Sequence, residues 1–213
     1  MKRPTIADMV MNSTSTLLAI AGIISVASIS PGPNNLLVMR SASRSGLSGA
    51  LPSIAGVIVG GLGLMILVIG GLQAVFESTP TLRSLVVVAG SMYLGWLGVS
   101  MMRTAPPVTE GAVQNVPDGT VARVVTAATF QFLNPKSWVL VLSAVAAAHT
   151  GAATVFFEVG AMLVIIPAIG LMIWSLLGVI LMRFLSQPAQ RRRFDRGMGI
   201  LLMVSATLML RSL

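Results

Sequence analysis

The chain has no cysteine, one histidine and only 9% charged residues. Without cysteine there are no disulfides, thiolate metal sites or thiol redox chemistry. One histidine and six carboxylates are too few to expect a histidine–metal centre or a two-carboxylate hydrolase. The shortage of charge excludes more. A soluble domain carries about 25% charged residues, whereas here hydrophobic residues make up 55% and the mean hydropathy is +0.90. Such a chain is neither an ordinary soluble globule nor disordered. A net charge of +8 and a pI near 11.7 would suit a nucleic-acid binder, but so few charges cannot clothe a basic soluble domain, so no nucleic-acid partner is expected. Walker A and dinucleotide-binding motifs are missing too, so neither a built-in ATP motor nor a cofactor is expected, and nothing points to an enzyme.

What is present is a series of charge-free runs. Residues 9–39, 45–76, 84–102, 159–182 and 197–210 carry no charge, and in 124–157 the charges before the Phe156–Phe157 pair reduce to Lys136. A membrane helix needs roughly 20 apolar residues, so five runs are convincing spans and the last, of 14 residues, is short. No run alternates as a barrel strand would, which leaves helices as the spanning element. Lys2, Arg3 and the apolar stretch 17–27 loosely resemble a secretory signal, but the polar run Asn12-Ser13-Thr14-Ser15-Thr16 is a poor start for one, and cleavage is not expected. Basic residues set orientation. With six spans, one side holds Arg40, Arg44, Arg103, Arg123, Arg183, Arg191, Arg192, Arg193 and Arg196; the other holds Lys2, Arg3, Arg83 and Arg211. The richer side is expected in the cytoplasm with both termini outside. A five-span form stays open because the last run is short.

Prolines divide the spans. The first contains Ser30-Pro31-Gly32-Pro33-Asn34-Asn35 and the fourth contains Gln131-Phe132-Leu133-Asn134-Pro135-Lys136. Pro31 and Pro135 lie 104 positions apart, about half the chain. Six spans split three and three, so the breaks fall in the first helix of each half, and an odd number of spans per half inverts the second. Interrupted helices in corresponding positions are the best sequence pointer to a transporter site. The expected fold is therefore an all-α integral membrane protein: six transmembrane helices as two inverted three-helix halves, the first helix of each broken at proline. Residues 1–213 form a single membrane transport domain, with half one at 1–103, a polar linker at 104–123 and half two at 124–213.

Each break can end one half-helix and start another inside the membrane. Ser30 or Asn134 can cap the new helix, and Pro31 or Pro135 suits its first position. A new N-terminus offers free amides and partial positive charge to a carboxylate, while the old C-terminus offers carbonyls to an ammonium. Two such breaks facing each other suit a zwitterion, with Asn34, Asn35, Asn134 and Gln131 adding donors and acceptors. The bland alternative is two kinked helices. Lys136 favours a site. Only 12 residues separate it from His149, about 18 Å of helix, so span four must begin before it, near Thr129. That sets a lysine inside the bilayer, where a charge is functional by default. No acidic residue lies mid-span, since Glu77 and Glu158 sit at span edges. Its partner is then either the substrate carboxylate or broken-helix carbonyls that it locks. Elsewhere, Gly56 and Gly60 fit a small-xxx-small helix contact, Pro167 can kink span five, and Tyr93, Trp96 and Trp174 lie within spans as packing or pathway residues.

These residues also carry a family resemblance. Ser30-Pro31-Gly32-Pro33-Asn34-Asn35 followed by Arg44-Ser45-Gly46-Leu47, then Ala89-Gly90-Ser91-Met92-Tyr93-Leu94-Gly95-Trp96-Leu97-Gly98, then Gln131-Phe132-Leu133-Asn134-Pro135-Lys136, resemble in order the signatures of the LysE/RhtB family of amino-acid exporters. The second proline motif is most similar to the branch exporting cysteine and O-acetylserine. Two loops depart from the pattern: Ala42 stands where a glycine is frequent, and 145–149 replace a Pro-Gln-Phe. The resemblance implies gradient-driven export of amino acids or close derivatives across the bacterial inner membrane, with a proton as the coupling ion and the bilayer as surroundings. Homo-oligomers remain open. Pro31, Gly32, Pro33, Asn34, Asn134, Pro135 and Lys136 carry over as the substrate site, which Asn35 and Gln131 join by their hydrogen-bonding capacity; a desolvated Lys136 is one candidate for the proton carrier. Rival readings are a metal-ion or other small-solute exporter of the wider superfamily and a non-transporting scaffold.

Overall fold

The computed structural model describes residues 6–103, 119–148, 152–184 and 188–211. All elements among them are helical. Lys2, Arg3, most of the expected linker and the turn at 149–151 lie outside the described residues, as do the side chains of Glu77, Arg83, Arg183 and Arg191.

α1 covers Ile6–Ile29 and α2 covers Pro33–Leu67. Within α2 two helices meet at Gly46, whose φ of 72° lies in the left-handed region where a side chain is strained. A π-helical turn, Val68–Leu72, leads to the short α3, Gln73–Ser78. α4 is Pro80–Arg103, α5 Thr120–Leu133, α6 Pro135–Ala147, α7 Ala152–Phe184 and α8 Pro188–Leu210. α5 begins inside the stretch expected as linker, so residues 120–123 form its first turn and the helix starts well before Thr129. By length and composition, Pro33–Leu72, Ser84–Arg103 and Phe156–Ile180 can each cross a membrane. Thr14–Ile29, Thr120–Leu133 and Pro135–Ala147 are apolar but shorter. α5 and α6 have 14 and 13 residues, about 20 Å each, and only end to end do they match a hydrocarbon core of about 30 Å.

Small residues let the helices touch at backbone level. The second part of α2 runs beside α5 in the same direction: Gly49 lies at Arg123, Gly56 at Val124 and Ala127, Gly60 at Ala128 and Gln131. α7 passes Met65 at Gly160, Ser28 at Gly170 and Met39 at Gly178, so it runs against the second part of α2 and with the first. α4 and α8 are antiparallel, Gly98 and Gly199 facing each other's carbonyl oxygens at 2.7 and 2.5 Å from an added Cβ. Three buried apolar clusters surround the breaks: one around Ile24, Met65 and Val141, one around Leu94 and Leu202, and one around Val38, Ile54 and Ala127. Large apolar side chains also cover the outside, among them Leu18, Met92, Val121, Phe157 and Ile165, which water would penalise and lipid accepts.

Arg123 ties the Gly46 turn to α5. Its Nη1 donates to Gly49 O at 3.0 Å and its Nη2 to Ser45 Oγ at 3.2 Å. Arg123→Ala should lower stability by about 1 kcal/mol, since the head group is only part-buried. A melt in detergent followed by tryptophan fluorescence should move down by a few degrees. An unchanged midpoint would mean the turn holds without the arginine.

Candidate substrate site

The backbone at the two breaks is short of partners, and the side chains that supply them form the site. Pro31 and Pro33 have no N–H, so the last carbonyls of α1 lose their helical donors. Ala27 O, which Pro31 cannot serve, accepts from Ser30 Oγ at 3.3 Å, and Ser28 O and Ser30 O, left open where the helix stops, accept from Asn35 Nδ2 at 3.1 and 2.9 Å. At the second break Pro135 removes another donor. Asn134 Oδ1 accepts from the Lys136 amide at 3.1 Å and so caps α6. Trp138 Nε1 donates to Phe132 O at 2.9 Å, taking the carbonyl that Lys136 N would have used. The two starts differ: α6 is capped by a side chain, whereas α2 begins at Gly32 with no side-chain cap.

Tertiary folding sets the breaks against each other. Lys136 Nζ, from the second, donates to Ser30 O at 2.7 Å, Ser30 Oγ at 2.8 Å and Pro31 O at 3.3 Å in the first. Beside it lies a ring of amides. Asn34 and Gln131 pair reciprocally: Asn34 Nδ2 donates to Gln131 Oε1 at 3.0 Å and Gln131 Nε2 to Asn34 Oδ1 at 2.9 Å. Asn134 Nδ2 adds a bond to Asn34 Oδ1 at 3.1 Å, and Ser137 Oγ donates to Gln131 Oε1 at 2.6 Å. Asn35, Gln131 and Asn134 are buried, and buried polar groups are tolerated because they are paired.

A cavity of about 60 Å³ opens on this constellation, room for a few water-sized groups. Gly32, Pro33, Asn34, Asn35, Gln131, Asn134 and Lys136 line it, as do Ser28 and Ser137. Of the remaining expected site residues, Pro31 offers a carbonyl to Lys136 and Pro135 opens α6. The rest of the lining includes the apolar wall residues Val57, Leu140, Val141, Leu163 and Leu171, with Pro167 between the last two in sequence. Sequence reasoning did not select this wall. Leu163, Pro167 and Leu171 recur every four residues and mark one face of α7, a spacing that any apolar span contains. Tyr93, Trp96 and Trp174 are not among the lining residues; the rings of Tyr93 and Trp96 pack tilted by 31°, their centroids 6.0 Å apart. Among the described residues no cluster of histidine, cysteine or carboxylates could hold a metal.

Asn34 is the hub of the ring. Asn34→Ala leaves buried groups of Gln131 and Asn134 without their partners, at about 1–3 kcal/mol each where water cannot replace them. It should cut transport about tenfold or more and lower the melting midpoint, whereas Asn34→Gln should restore stability better than transport.

A family profile for LysE type translocators matches residues 25–213, a stretch containing both proline breaks and Lys136. This chain belongs to the LysE type translocator family. As a LysE type translocator it is a multi-pass membrane protein of a transporter family, and its apolar exterior agrees. Among curated relatives it is 29% identical to a leucine efflux protein of Klebsiella pneumoniae over 128 residues, 60% of this chain and 58% of the relative. A leucine efflux protein of Salmonella typhimurium is 30% identical over 129 residues, 57% of this chain and 60% of the relative. One from Enterobacter is 36% identical over 72 residues, 34% of each. This LysE type translocator thus spans about three fifths of the length of the first of these. None of the three is named for cysteine or O-acetylserine, so the expected branch gains no support from them. No solved structure matches the chain.

Proposed function

We propose that the protein is a secondary transporter that moves neutral aliphatic amino acids, leucine foremost, from the cytoplasm across the bacterial inner membrane. The observation that carries this reading is the meeting of the two broken helices at a cavity lined both by a lysine and amides and by aliphatic side chains. An aliphatic amino acid has the same division, a zwitterionic head and a hydrocarbon tail. The uncapped start of α2 at Gly32 suits the carboxylate, with Lys136 beside it. Asn34 and Asn134 orient the head, Asn35 braces the break, and Val57, Leu140, Val141, Leu163 and Leu171 receive the side chain. The names of the relatives favour leucine over smaller or charged substrates.

The proposed architecture is six spans in two inverted halves: α1 with the first part of α2, the rest of α2 and α4, then α5 with α6, α7 and α8. Helix directions support it. The second part of α2 runs with α5 and against α7, and the closest glycine contacts pair α2 with α5, α7 with α1 and the start of α2, and α4 with α8. Alternating access then follows from one bundle rocking on the other around the midplane site, with a proton gradient as the driving force.

The test is efflux from cells loaded with a labelled leucine dipeptide. Cells producing the protein should release labelled leucine faster than empty-vector cells, and an uncoupler should abolish the difference. Equal release in both would remove the exporter reading. A scaffold would show no flux in proteoliposomes either.

A further inference from the structure

The three partners of Lys136 Nζ are all neutral oxygens: two main-chain carbonyls and a serine hydroxyl. An ammonium has three donors, and this cage meets each of them. Pro31 O is available because it lies between the end of α1 and the start of α2, and Ser30 O takes the ammonium beside its bond from Asn35 Nδ2. Such a cage recognises the head group and not what it is attached to. A primary ammonium on any tail fits it, and the α-ammonium of an amino acid is one.

The lysine reaches this cage across the start of α2. A Cβ added at Gly32 would lie 3.1 Å from Lys136 Nζ and 3.2 Å from its Cδ. The side chain therefore covers the uncapped helix start that suits a carboxylate, while its ammonium fills the adjoining carbonyl cage. Both halves of a zwitterion's seat are occupied by one residue of the protein, and the cavity opens beside it.

We propose that the carbonyl cage of Ser30 and Pro31 is the binding seat for the substrate's α-ammonium, and that Lys136 is its tethered occupant in the empty transporter, displaced when substrate binds. The proposal rests on the exporter reading and adds to it where the ammonium goes. In the empty carrier Lys136 holds the two breaks together and satisfies the carbonyls. When an amino acid enters, its ammonium takes the cage, and the lysine swings off Gly32 to meet the carboxylate. Ligands with a carboxylate but no primary ammonium cannot release the lysine.

Two experiments test this. Lys2 and Lys136 are the two lysines of the chain, so amine modification at each can be followed by mass spectrometry on the purified wild-type protein. Reductive methylation of Lys136 should speed up several-fold with L-leucine and not with 4-methylpentanoate, which keeps the carboxylate and lacks the ammonium; Lys2 should not change. An unaltered or slowed rate at Lys136 overturns the proposal. Slowing with leucine efflux intact in vesicles would leave the exporter reading standing, with Lys136 meeting the carboxylate from where it now lies. The second experiment needs no substrate. In Lys136→Ala the cage is vacant, so millimolar methylammonium should raise the melting midpoint, and tetramethylammonium, which has no N–H, should not. Equal effects of the two cations, or none from either, also overturn the proposal.

Discussion

Lys136→Ala should reduce leucine efflux by more than about tenfold at equal protein level, the largest loss expected from any single side chain here. The removed ammonium leaves Pro31 O without its donor and Ser30 O with Asn35 Nδ2 alone, and an unsatisfied buried acceptor costs about 1–3 kcal/mol. Bound substrate also loses the ammonium that meets its carboxylate, a charge-assisted bond worth about 1.5–3 kcal/mol, and since 1.4 kcal/mol is tenfold in an equilibrium, that loss alone reaches the expected scale. Lys136→Arg should not rescue. A planar guanidinium presents its donors in a fork, and it cannot place three of them on oxygens that surround one nitrogen. The measurement is labelled leucine release from dipeptide-loaded cells, with protein level checked by immunoblot. Normal release by Lys136→Ala at normal level would show that the lysine is no part of the site.

The second large effect belongs to a residue with no side chain. Gly60→Leu should nearly abolish both folded protein and transport. A Cβ at Gly60 would lie 2.5 Å from Ala128 O and 2.6 Å from Gln131 Cγ. The first of these is main chain in a helix, so α5 must move away from α2 as a body. Overpacking of this kind costs about 1–3 kcal/mol or more. Here it also pulls Gln131 from its reciprocal pair with Asn34. Gly22 is the control. Nothing lies within 4 Å of a Cβ added there, and alanine is the better helix former by about 1 kcal/mol, so Gly22→Ala should express and transport at least as well as the parent. Detergent-solubilised yield by size-exclusion chromatography reads both. Equal yields of the two variants would show that the α2–α5 contact is not tight.

The balance between what was legible in the chain and what was not follows from the same residues. Composition determined the solvent. Charge-free runs of membrane length leave no soluble alternative, because the bilayer alone accepts that many uncovered apolar side chains. Pro31 and Pro33, clustered with Ser30, Gly32 and Asn34, and Pro135 after Asn134 marked where the helices break, whereas the lone Pro52 and Pro167 lie inside α2 and α7. Lys136 determined that one break lies near a buried charge. Each of these is a local constraint, readable from residue type and spacing.

The sequence did not determine which groups meet. Lys136 and Ser30 are 106 positions apart, and Asn34 and Gln131 are 97. Their pairing depends on α5 lying along α2, which Gly56 and Gly60 permit but a glycine pattern alone does not assign to a partner. Asn35 and Asn34 are neighbours of the same type, yet one braces its own break and the other bridges to the second half. Helix phase separates their directions by about 100°, and only the packed neighbours decide which direction faces the cavity. The apolar wall from Val57, Leu163 and Leu171 was hidden for a related reason. In a membrane span apolar residues occur on every face, so hydrophobicity does not distinguish lipid from lining. The tertiary structure makes that distinction by placing other helices against one face and leaving the rest to lipid.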